Sequence, residues 1–198
     1  PRLSHQVAMK NDIQPAIKLR FILLGGFRMQ CGEQSLSDDL IHLRKARDLL
    51  KLLALAPNHR LHREEVLDLL WPEHSPQQAA HNLSQTLYTL RHNLTALDPC
   101  IRLGFDEENL FLLPADGIST DVEDFENAAR SARSRAGQIN NQTITSCLEA
   151  IRMYTGDLLP DDGPSDLFYQ RREQLCQLYV DLLLFFAHAN LELNSFTP

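Results

Sequence analysis

The sequence predicts an α+β fold in its first part and an all-α fold in its second, and three observations carry that prediction. Apolar residues alternate at period two in residues 17–31 and again in 101–112, as half-buried strands require. Between these stretches, and everywhere after Pro114, apolar residues recur at three and four, the spacing of amphipathic helices. Clusters of Gly, Pro, Asn and Asp punctuate each change of period, which places the turns.

The elements follow in order. Residues 1–16 are polar, contain Pro15 and show no period, so a flexible leader is expected there. Ile17, Leu19 and Phe21, then Phe27, Met29 and Cys31, alternate around Gly25-Gly26, with Gly32-Glu33 next; short antiparallel strands joined by tight turns should result. A first helix over 43–56 sets Leu43, Ala46, Leu49, Leu50 and Leu53 on one face. Its other face holds Arg44, Lys45, Arg47 and Lys51, and Pro57 ends it. A second helix, Arg63–Leu70, turns Val66, Leu67 and Leu70 inward and keeps Glu64 and Glu65 at its positive N-terminal end. A third, over 77–94, opens with Ser75 as N-cap and Pro76 at the first helical position. Ala80, Leu83, Leu87, Leu90 and Leu94 form its apolar stripe. Its outer face carries His81, Asn82, Ser84, Gln85, Tyr88, Thr89, Arg91 and His92.

Ile101, Leu103 and Phe105 face Leu110 and Leu112 across Asp106-Glu107-Glu108-Asn109, a hairpin with a polar tip. Strands, three helices and a hairpin in that order make a winged helix-turn-helix, expected over 17–116. Helical period then covers 121–135, 142–154 and 165–193, with no strand expected after Pro114. Residues 119–198 therefore read as a separate helical-repeat domain.

Composition is that of an ordered globular chain, with 43% hydrophobic and 23% charged residues among 198. The four cysteines, Cys31, Cys100, Cys147 and Cys176, form no CxxC pair, which disfavours a zinc ribbon and a disulfide framework. The first twelve residues lack an apolar stretch, and the greasy run 175–189 is interrupted by Gln177 and Asp181. A cytoplasmic protein with no membrane partner is expected. Net charge is −7. Residues 1–118 hold 13 Lys/Arg against 14 Asp/Glu, and 119–198 hold 6 against 12, so the acidity lies in the helical half.

An α-helix fits the major groove of B-DNA, where side chains read base edges. The 77–94 helix has the required apolar inner face and hydrogen-bonding outer face, and a bracing helix precedes it. Asn82 or Gln85 suits adenine and Arg91 suits guanine or a phosphate. Arg44, Lys45, Arg47 and Lys51 suit phosphates.

The run LRKARDLLKLLALAPNHRLHREEVLDLLWPEHSPQQAAHNLSQTLYTLRHNL resembles the winged helix of the Streptomyces antibiotic regulatory protein type, of OmpR/PhoB-like fold. TDVEDFENAAR, MYTGDLLPDD and YQRREQLCQLYVDLLLFFA resemble the bacterial transcriptional activation domain that follows it in that family, a stack of tetratricopeptide-like helix pairs. The resemblance covers about 18–193. It implies a transcriptional activator whose recognition helix presents His81, Asn82, Ser84, Gln85, Tyr88, Thr89 and Arg91 to DNA, with a wing over 101–113. It also implies that Trp71, Glu73, His74 and Ser75 lie on a loop that faces RNA polymerase. One departure stands out: this recognition helix has Arg91 as its sole arginine, and the wing tip is acidic. Helical repeats need stacked neighbours, so the apolar face of 178–193 is expected to take a second copy or a downstream domain of the same chain.

Enzyme motifs such as GxSxG, HExxH, Walker A and GxGxxG are missing, so neither catalysis nor a cofactor is expected. His59 and His62 lack a third ligand in the sequence, and His81 and His92 are about 16 Å apart along one helix. Solvated or hydrogen-bonded histidines, rather than metal ligands, are therefore expected. Asp157, Asp161, Asp162 and Asp166 fit no calcium loop and read as turn and cap residues. The competing reading is a protein-interaction module whose winged helix does not hold DNA tightly.

Overall fold

Leu19–Ile22 (β1), Arg28–Cys31 (β2) and Gln34–Ser37 (β3) form an antiparallel meander. The computed structural model describes residues 19–32, 34–37, 41–99, 101–113, 117–134, 140–162 and 166–195; the leader expected at 1–16, with Ile17 and Cys100, lies outside them. Leu19 and Phe21 of β1 share a buried face with Met29 of β2, as the alternation predicts. Gly25, at φ +78°, makes the turn, a conformation that glycine reaches without a Cβ penalty.

Three helices follow: α1 (Arg44–Leu55), α2 (Arg63–Leu70) and α3 (Pro76–Leu97). α1 packs on both others. The hairpin pairs β5 (Arg102–Phe105) with β6 (Asn109–Leu113). Arg60–His62, read as connection in the sequence, is instead a strand, β4, that pairs antiparallel with β6 and completes a three-stranded wing.

The expectation of no strand after Pro114 is overturned. Ile118–Thr120 (β7) pairs parallel with β1, so the first sheet has the order β3-β2-β1-β7. Three residues are too few to show a period, and the pairing is set by a partner a hundred positions away. The helical domain expected to begin at 119 thus starts inside a strand of the first sheet. Helices α4 (Asp121–Ser134), α5 (Asn141–Met153) and α6 (Asp166–Ser195) complete the chain, with α5 packed on both neighbours.

One continuous hydrophobic cluster runs from Leu19 to Leu182 through both halves. Polar contacts knit the seam. The half-buried carboxylate of Asp121 accepts hydrogen bonds from the backbone N–H groups of Leu23 (2.8 Å) and Leu24 (3.0 Å). Burial pushes that carboxyl above its ordinary range, against the pull of those donors. The loop after α5 pairs with the same turn: Leu159 N–H donates to Leu23 O and Gly25 N–H to Asp157 O, each at 2.9 Å. Leu159 sits at φ +46°, an uncommon state for a branched residue. Arg172 of α6 holds the loop there, donating to Leu158 O (2.8 Å) and Leu159 O (3.1 Å). Asp121→Ala would strand two backbone donors, and a loss of about 1–3 kcal/mol is expected. Urea unfolding checks this; an unchanged midpoint would show that water replaces the carboxylate at no cost.

The phosphate-facing role expected for Lys51 is also overturned. Its side chain is 2% exposed, and its ammonium lies 2.6 Å from Asp162 Oδ1 and 4.9 Å from the centroid of the Phe27 ring. A lysine inside a polar stripe reads as solvated because its counter-ion, 111 residues away, leaves no trace in local sequence.

Candidate nucleic-acid interface

Helix α3 starts where Ser75 and Pro76 place it. Ser75 Oγ accepts from Gln78 N–H, and Gln78 Oε1 accepts from Ser75 N–H, both at 3.4 Å, a capping box that satisfies two otherwise orphaned donors. Ala79, Leu83, Thr86, Leu87, Leu90 and Leu94 are buried. Ala79 therefore takes the core position expected for Ala80, which is half-buried, because at 3.6 residues per turn Ala79 lies nearer the middle of the stripe formed by Leu83, Thr86, Leu90 and Leu94.

The opposite face is open. His81, Ser84, Gln85, Tyr88, Arg91 and His92 are exposed, with Tyr88 at 75%, while Asn82 and Thr89 are half-buried. Three of these side chains are tied to their own helix. Ser84 Oγ donates to Ala80 O at 3.0 Å, and the Gln85 amide meets the His81 imidazole at 3.0 Å. Arg91 Nε donates to Leu103 O at 3.3 Å, which fixes α3 against the wing strand β5. Arg44 on α1 is exposed, whereas Lys45 and Arg47 are half-buried.

The wing has its own brace, which the sequence did not reveal. Arg60 on β4 pairs with Asp106 at the tip, and its guanidinium lies 5.0 Å from the centroid of the Phe111 ring, a cation–π distance. Asp106 Oδ1 in turn accepts from the N–H groups of Glu108 (3.1 Å) and Asn109 (2.7 Å), an Asx turn that shapes the tip. The acidic tip is thereby offset by one arginine. Across the hairpin the Phe111 ring lies over Gly104, and a Cβ there would come within 2.2 Å of it. Gly104→Ala should force the ring from under Arg60 and lower stability by about 1–3 kcal/mol, as overpacking does. Thermal unfolding tests it, with an unchanged melting temperature as the contrary result.

Of the four residues expected on the loop after α2, Glu73, His74 and Ser75 are exposed, but Trp71 is 6% exposed and belongs to the core. Its indole is too large an apolar surface to leave in water. The shallow cleft of about 300 Å³ beside it is walled by Arg63 and Glu64 of α2 and by His74 and Pro76. His59 departs from the solvated or hydrogen-bonded state expected for it. It is 4% exposed, and its Nδ1 has no hydrogen-bond partner among the described residues. His62 instead caps α2, its Nδ1 accepting from Glu64 N–H at 3.3 Å. Among the described residues no helix is long and apolar enough to cross a membrane, and no three His, Cys, Asp or Glu side chains converge as a metal would require.

These features define a winged helix, with its third helix open, docked on a helical module. No known family model and no curated protein matches the sequence. Among solved structures, the fold is similar to that of Mycobacterium tuberculosis EmbR in complex with a low affinity phosphopeptide, at a TM-score of 0.71 and 21% identity. The match covers 88% of this chain and 46% of that one, so this chain spans about half the neighbour's length. At that identity the likeness is one of fold.

Proposed function

We propose that the chain is a sequence-specific DNA-binding regulator of transcription, of the Streptomyces antibiotic regulatory protein type, acting as an activator. The observation that carries this reading is the open face of α3, where His81, Gln85, Tyr88 and Arg91 project from a helix with a fully packed inner side. Such a helix enters the major groove, Gln85 or Asn82 reading adenine and Arg91 reading guanine or holding the wing to the backbone. Ser84, Thr89, Arg44, Lys45 and Arg47 complete the contact surface, with the cations serving phosphates. RNA polymerase is met by Glu73, His74 and Ser75. The exposed Leu183, Leu184 and Leu191 of α6 take a second copy or a downstream domain. The reading involves no catalysis and no cofactor.

A protein-interaction module is the second reading, and the acidic wing tip favours it, since Asp106, Glu107 and Glu108 would face phosphates. Selection from a randomised duplex pool separates the two. A regulator enriches a repeated motif, and its affinity falls steeply with salt as phosphate contacts are screened. No enrichment, with weak binding at low salt alone, would favour the interaction module.

A further inference from the structure

The outer face of the first sheet carries two arginines and an isoleucine where a purely structural face has no need of them. Arg20 and Ile22 of β1 alternate with the buried Leu19 and Phe21, and Arg28 of β2 sits directly across from Ile22. The helical module leans over this face without filling it. Met153 at the end of α5, Thr155 after it and Asp124 of α4 form the far wall of a cleft of about 390 Å³, within the size range of small-ligand sites.

The charges in the cleft are unequal in their freedom. Asp121 spends its carboxylate on the N–H groups of Leu23 and Leu24. Asp124 pairs with Arg20 at 2.7 Å. Thr155 donates its hydroxyl to Leu24 O at 3.0 Å. Arg28 is exposed and makes no ion pair with a described residue. Beside it Ile22 is half-buried and Met153 is 41% exposed, so an apolar surface adjoins an uncommitted guanidinium. A planar fork of donors next to an apolar wall suits a carboxylate or phosphate that carries an apolar group.

We propose that this cleft binds a small organic anion, its acid group on Arg28 with Arg20 as the second donor and its apolar part against Ile22 and Met153. The ligand competes with Asp124 for Arg20. It therefore acts at the seam where Asp121 and Thr155 fasten the helical module to the first sheet, and can alter how firmly the two halves are held. This does not depend on the DNA-binding reading, because ligand binding is measured without DNA.

The test titrates the full chain with phenylphosphonate and follows backbone amide shifts by NMR, with benzylammonium and inorganic phosphate as comparisons. Saturable shifts confined to Ile22, Leu23, Leu24, Arg28 and Thr155 are expected, with at least tenfold weaker binding of inorganic phosphate and no saturation by benzylammonium. Arg28→Gln should weaken phenylphosphonate at least tenfold at an unchanged melting temperature. Met153→Glu, which alters the opposite wall, should do the same and stands in if Arg28→Gln does not fold. Shifts scattered over the surface, equal binding of the cation, or equal affinity in the substituted chains would overturn the proposal.

Discussion

Lys51→Ala is expected to destabilise the chain by about 3–5 kcal/mol, the range for removing one partner of a buried ion pair. The size follows from what is left behind. Asp162 is 18% exposed, and its Oδ2 is already buried without a hydrogen-bond partner among the described residues. Without the ammonium its charge has no compensation in a medium of low dielectric. The pair also bridges α1 and the turn before α6, so the loss falls on the seam between the two halves. The double change Lys51→Met with Asp162→Asn should recover most of the stability, since a well-packed neutral pair avoids the desolvation cost. Urea unfolding of the single and double variants decides it. A wild-type midpoint for Lys51→Ala would mean that water already screens the pair.

Leu90→Ala should cost about 2–5 kcal/mol, the usual range for emptying a fully buried leucine site. Leu90 is 0% exposed, in the inner stripe of α3, while Leu87, at 8%, should fall nearer the low end of that range. The cavity would open on the packed face of α3, so the helix that carries the open face would lose support. Thermal unfolding compared with Tyr88→Ala gives the contrast, since Tyr88 is 75% exposed and its truncation should shift the melting temperature little. Equal effects at the two positions would mean the buried and open faces of α3 are misassigned.

What could be read in advance was local. The start of α2 was marked by Glu64 and Glu65, and that of α3 by Ser75 and Pro76, because each signal lies within one turn of the residue it governs. The strands β4 and β7 escaped because three residues carry no period. Lys51 and Trp71 escaped for a related reason. A side chain's burial depends on what packs over it, and Asp162 is too distant in sequence to be anticipated from α1. The outer face of α3 was legible as a list of polar residues. That Arg91 braces the wing through Leu103 O, and that Arg60 offsets the acidic tip, required the hairpin's position relative to α3 and β4.

Whether α3 reads base edges is decided by one comparison. The affinity of the wild-type chain and of Gln85→Ala is measured on the selected duplex and on duplexes changed one base pair at a time. Gln85→Ala is expected to lose discrimination at a single A·T pair, by about 1–3 kcal/mol, while the other positions keep their preference. The same affinities and the same preferences in both proteins would contradict it, and would take Gln85 out of the contact surface.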